Sequence, residues 1–128
     1  MKEYEKAVKD YLIERGWDEL RPADLAKSIS IEAAELLEIF QWTNASLEEV
    51  KKDSAKLELI KKELADVLIY CLEMSTLLEL DTGKILLDKL EKAKEKYPAH
   101  LFINRDRSIE AGAEETYLKI KQAHREKE

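Results

Sequence analysis

The 128 residues carry 22 Lys plus Arg against 28 Asp plus Glu, a net charge of −6 with neutral histidines, and 45% of them are hydrophobic. That length and apolar fraction suit one domain with its own core, and the acidic balance excludes a generic nucleic-acid-coating surface while leaving a local phosphate site open. Only three glycines and two prolines interrupt the backbone, and no long β-branched alternation occurs, so the expected fold is all-α. The amino terminus has no apolar leader and no run reaches the roughly 18 to 20 apolar residues of a membrane span, so a cytoplasmic location and no membrane partner are expected. The lone Cys71 inside LIYCL cannot form an intramolecular disulfide and reads as a buried thiol.

Tyr4, Val8, Tyr11 and Leu12 stand at helical spacing and predict a first amphipathic helix from Lys2 to about Arg15, ended by Gly16. Trp17 and Leu20 follow in a connection that can fold back onto the body, with Trp17 open to either core packing or a ligand pocket. A second helix is expected from Pro22–Asp24 to Phe40 or Trp42. Its ridge is Leu25, Ile29, Ala33, Leu36 and Phe40, widened by Leu37 and Ile39. Ser46 with Glu49 fits a capping box, and Asp53-Ser54 separates a short helix from a long one. In the long helix Leu57, Ile60, Leu64, Val67, Cys71, Met74 and Leu78 form the expected packed face. After Asp81-Thr82-Gly83, the residues Ile85, Leu86, Leu90 and Ala93 support a helix that stops before Tyr97-Pro98. INRDR then makes a polar connection, and 109 to about 127 is compatible with a further, weakly apolar helix that Gly112 weakens. The division expected is a domain over 1–103 and a C-terminal extension over 104–128.

Two acidic pairs stand out in apolar helical settings. Glu32 and Glu35 lie three residues apart in IEAAELLEIFQW, and Glu63 and Asp66 repeat the spacing in ELADVLIY, so each pair projects from one side of its helix. Four carboxylates facing a bundle interior require protons, basic partners or metal ions, and hard divalent cations such as Mg2+ take oxygen ligands of this kind. Spacing alone also fits ordinary solvated faces, because Glu35 and Glu38 form an overlapping pair; Glu38 is read as either a neighbour of the site or a surface residue. Neither pair carries the Glu-x-x-His of a di-iron bundle. His100 reads as a cap, a surface residue or a phosphate contact, and His124 as surface. No Gly-rich phosphate loop and no G-x-S-x-G elbow is present. Any phosphate must therefore be held by side chains and metals, for which Lys89, Lys92 and Lys96 with Tyr97 are candidates.

EAAELLEIFQW at 32–42, KELADVLIY at 62–70 and DKLEKAKEKYPAH at 88–100 together resemble the MazG-like all-α nucleoside triphosphate pyrophosphatases, in particular the small dCTP pyrophosphatase-like branch. The four core helices with short connections suggest a bundle, with a possible additional C-terminal helix outside the resemblance, and the resemblance implies that such subunits assemble as a homodimer or homotetramer. It implies hydrolysis, dependent on Mg2+ or Mn2+, of a nucleoside triphosphate to the monophosphate and pyrophosphate, with no nucleic-acid polymer as partner. Carried over residue by residue, the metal ligands are Glu32, Glu35, Glu63 and Asp66. Glu35 is also the candidate for activating water, with Glu38 beside it. Substrate contacts fall on Trp17, Trp42, Tyr70, Lys89, Lys96 and Tyr97, although Trp42 and Tyr70 can equally pack the bundle. Many relatives carry K-x-x-x-N on the last core helix, whereas here Lys89 is followed by Ala93, which leaves the nucleotide open. A nucleotide-binding module with weak catalysis and a structural helical oligomer are the rival expectations.

Overall fold

Short polar side chains cap the starts of two helices, and left-handed residues close the ends of two. In the computed structural model, which describes residues 1–103 and 110–127, the elements are α1 (Lys2–Glu14), α2 (Pro22–Glu38), α3 (Leu47–Lys52), α4 (Ser54–Leu77), α5 (Thr82–Lys96), a 3-10 turn (Ala99–Leu101) and α6 (Glu110–Lys127). The fold is all-α. Two compact units divide it, Met1–Gly83 and Lys84–Glu128.

In the first unit α4 is the spine, with α1, α2 and α3 packed on it. Gly16 takes φ 68°, the left-handed conformation that a β-carbon disfavours. This lets the Gly16 and Trp17 amides bond back to the Ile13 and Leu12 carbonyls at 3.1 and 2.9 Å, a Schellman closure that turns Trp17 edge-on to Tyr11, 5.9 Å between ring centroids. Ser46 Oγ accepts from the Glu49 amide at 3.2 Å and Asp53 Oδ1 from the Lys56 amide at 3.0 Å, so the break expected at Asp53-Ser54 is a capped helix start. At the far end of α4, Glu79 adopts φ 56° and the same closure recurs. The Thr82 amide that opens α5 donates to Glu5 Oε1 on α1 at 2.8 Å, and the Thr82 hydroxyl first, then this amide, hold the Glu5 carboxyl below its ordinary range.

Leu12 and Leu25, 0% and 2% exposed, are the centre of the core with Val8. Three expectations are corrected here. Helix α2 stops at Glu38, because the amides of Phe40 and Gln41 bond to Leu37 and Glu38 in tight three-residue steps. Trp42 therefore lies in a turn. Leu37 does not widen the core ridge but is 69% exposed. On α4 the packed stripe runs Ile60, Glu63, Val67, Tyr70, Met74 and Leu77, while Leu64, Cys71 and Leu78 are exposed. α1 and α2 pack on the flank that carries Glu63 and Tyr70, so the sulfur of Cys71 faces away and is not a buried thiol.

In the second unit Tyr97 ends the line of α5 and stacks on Tyr117 of α6, centroids 5.0 Å apart and planes 18° apart, while Phe102 meets Tyr97 edge-on at 6.5 Å. The helix expected over 109–127 is present from Glu110, and the polar connection over 104–107, together with Ile109, lies outside the described residues.

Candidate functional site

Helices α2 and α4 bring the two acidic pairs together because they are the most extensively packed pair of elements in the molecule. Glu32 on α2 and Glu63 and Asp66 on α4 each offer a carboxylate oxygen within 4.8 Å of the others, and all three are half-buried. Glu35, one turn beyond Glu32, is exposed but adjoins the cluster, touching both Glu32 and Glu63. Lys62 offers Glu63 only a loose ion pair at 3.8 Å.

Like charges this close raise proton affinity. Glu35 is held above the ordinary carboxylate range chiefly by its hydrogen bond with Glu32; its contact with Glu63 offsets part of that, and the charges of Glu32 and Glu38 reinforce it. Glu63 is raised chiefly by burial and then by Glu35. Oε2 of Glu32 and Oε2 of Glu63 are shielded from solvent and have no hydrogen-bond partner. Buried acceptors without donors are costly, and an all-carboxylate set with no nitrogen or sulfur is the donor chemistry of a hard divalent cation. The residues therefore fit an Mg2+-type ion.

Carboxyls whose folded pKa lies above the unfolded value make the folded protein the better proton binder between the two. Their burial and mutual repulsion thus subtract stability at neutral pH, and the loss is recovered as pH falls through the raised folded values toward the ordinary carboxylate range. Glu63→Gln is expected to melt at a higher temperature than the metal-free wild type at pH 7. That advantage should shrink on acidification, as followed by circular dichroism melts across pH 4 to 8, and an advantage constant with pH would contradict the repulsion.

The aromatic residues divide. Trp17 and Tyr70 line one hollow of about 250 Å3 with Tyr11, Leu25 and Ser28. A second hollow, about 380 Å3, lies against Tyr11, Tyr70 and Asp66. Tyr70 has its phenol raised chiefly by burial and then by the charge of Glu73, with Ser28 hydrogen-bonded to it. Trp42, by contrast, is 87% exposed and lines neither hollow. Glu38 borders a separate groove with Ala34, Leu37 and Gln41. Lys89, Lys96 and Tyr97 belong to the second unit, where Lys96 Nζ lies 5.4 Å from the Tyr97 ring centre and Lys89 is exposed. Tyr11, expected only as part of the apolar face of α1, also lines both hollows, and Ser28 and Glu73 are lining residues that the sequence pattern does not mark as a site. A signal of placement alone was readable for Glu73, since 63, 66, 70 and 73 step by three, four and three along one face of α4.

Three carboxylates meeting between two packed helices, with Glu35 adjoining, place the chain in the class of all-α bundles with an acidic cluster that fits a hard cation, and sequence comparison gives the class a family. Residues 27–110 match the MazG-like family, and the chain belongs to it. It is 42% identical to a pyrophosphatase from Archaeoglobus fulgidus whose crystal structure superposes with a TM-score of 0.66, covering 77% of this chain and 92% of that one. It is also similar to dCTP pyrophosphatase 1 of Homo sapiens, 30% identical over 94 residues, and of Rattus norvegicus, 28% identical over 94 residues. Those matches cover 72% of this chain and 55% of each relative, so the chain spans about half the length of these curated relatives.

Proposed function

We propose that this protein hydrolyses a nucleoside triphosphate, a deoxynucleotide such as dCTP or a modified pyrimidine counterpart, to the monophosphate and pyrophosphate in the cytoplasmic nucleotide pool. The observation that carries the reading is the meeting of Glu32, Glu63 and Asp66, with two buried oxygens lacking donors, on the helices of a MazG-like chain. Likeness to pyrophosphatases, two of them named for dCTP, supports the reaction class.

Glu32, Glu63 and Asp66, with Glu35 adjoining, would hold Mg2+ or Mn2+. Bound there, the cation supplies a positive field for the polyphosphate oxygens and for the charge that develops on the departing pyrophosphate. In the reaction a water oxygen bonds to one phosphorus of the α,β bridge, and the bond from that phosphorus to the bridging oxygen breaks with its electron pair. Glu35 takes the water's proton. A raised proton affinity strengthens a carboxylate as a general base, and Glu38 contributes to it through its charge. Trp17 and Tyr70 offer faces and edges to the base, and Trp42 an exposed face. Lys89, Lys96 and Tyr97 are carried as polyphosphate contacts by family resemblance. Exposed apolar side chains on α4 support a homo-oligomer. Among the described residues no helix is long and apolar enough to cross a membrane.

The test is incubation of pure protein with canonical and modified NTPs and dNTPs plus Mg2+, followed by chromatographic identification of products. Monophosphate and pyrophosphate in equal amounts are expected from at least one substrate. Nucleotide bound but never cleaved would replace this reading with that of a binding module.

A further inference from the structure

Glu73 is the most deeply buried charged side chain among the described residues, 4% exposed, and takes no part in the carboxylate cluster. Its Oε2 is shielded from solvent and has no hydrogen-bond partner. A well-packed helix has no structural use for such an atom, because an unmet buried acceptor opposes folding and an apolar side chain would serve better. Glu73 also lines both hollows described above, together with Tyr11 and Tyr70. One hollow extends to Trp17 and Leu25, and the other reaches Asp66 of the cluster. The wall they share is thus aromatic and apolar, with an orphaned acceptor at its centre and a link to the carboxylates.

We infer that Glu73 is a specificity-determining residue, accepting a hydrogen bond from the exocyclic amine of a nucleobase bound between Tyr11, Trp17 and Tyr70. This rests on the nucleotide reading above. Flat rings suit the aromatic flanks, and a site with a few convergent polar groups in an apolar hollow is the usual form of a small-molecule pocket. The hollow's two carboxylates are acceptors when ionised, beside the hydroxyls of Tyr11, Ser28 and Tyr70 and the Trp17 indole N–H. Glu73 supplies the buried one, Asp24 stands at the rim, and the Tyr70 phenol is engaged by Ser28. A base presenting an amine finds acceptors, whereas a base presenting a carbonyl at the same place sets oxygen against oxygen. Burial holds the Glu73 carboxyl above its ordinary range.

The experiment compares dCTP with dTTP, which differ at that edge of the ring, in the wild type, Glu73→Gln and Glu73→Leu. Binding is measured by calorimetry with Ca2+ in place of Mg2+, and kcat/KM with Mg2+. The wild type is expected to favour dCTP. Both variants should reduce the ratio of dCTP to dTTP affinity by about tenfold to a hundredfold, the scale of one buried charge-assisted hydrogen bond. Glu73→Gln should restore some dTTP binding through its amide donor, and neither variant should melt below the wild type. An unchanged ratio, or an equal loss for both nucleotides with a lowered melting temperature, would overturn the assignment and leave the hydrolytic reading standing. A ratio that shifts in binding while no nucleotide is cleaved supports the subsite and removes the hydrolytic reading. Binding of neither nucleotide overturns both.

Discussion

Asp66→Asn is expected to lower kcat/KM by about 10² to 10³-fold, the scale of removing one strong electrostatic contact to a developing charge. The same substitution should abolish the rise in melting temperature that Mg2+ gives the wild type, since an amide oxygen is a poorer partner for a hard cation than a carboxylate. Glu35→Gln separates the two duties assigned to its neighbourhood. Glu35 is exposed and adjoins the cluster, whereas Glu32, Glu63 and Asp66 form its half-buried centre. Loss of the base should therefore reduce kcat by a comparable factor while keeping most of the Mg2+-induced stabilisation. Steady-state rates with product chromatography, paired with thermal melts over a range of Mg2+, check both. If Asp66→Asn retained metal stabilisation, or Glu35→Gln lost it altogether, the division of labour between ligand and base would be wrong.

The acidic centre was legible because helical spacing is rigid. Two carboxylates three residues apart share a side, and although that spacing also fits solvated faces, the apolar runs around both pairs favour convergence, which the packing of α2 on α4 realises for Glu32, Glu63 and Asp66. The far wall of the pocket was harder to see. Glu73 sits in LIYCLEMSTL, where an isolated charge among apolar residues gives no indication of which flank of α4 is packed, and the apolar row pointed to Leu64, Cys71 and Leu78. The flank used carries Glu63 and Tyr70, so the polar residues of the site displaced the more hydrophobic ones from the interface with α1 and α2. The end of α2 was overrun for a related reason. Phe40 and Trp42 continue the apolar count, but periodicity says nothing about where amide hydrogen bonds tighten, and the chain turns at Glu38.

The displaced row makes the second large prediction. Leu64, Leu68 and Cys71 are exposed along one side of α4, and Leu78 continues the line at its end. A chain with 45% hydrophobic residues whose buried apolar side chains among those described are Val8, Leu12 and Leu25 leaves much apolar surface in water as a monomer. A second copy set against this row in a two-fold arrangement would cover the leucines of both copies, and fully burying one exposed leucine contributes about 1.5–3 kcal/mol. Leu64 and Leu68 are 44% and 53% exposed, so their burial on both copies amounts to roughly 3–6 kcal/mol before the cost of association. Replacing both by glutamate also brings like charges together across the axis. The wild type is therefore expected to sediment as a multiple of its 14.9 kDa chain at micromolar concentration, and the Leu64→Glu, Leu68→Glu double variant at the chain mass. Cys71 reports the same event chemically. Its thiol should react slowly with an aromatic disulfide reagent in the wild type and rapidly in the variant. A wild type that sediments as a monomer with a freely reactive Cys71 would show that this row is not where copies meet.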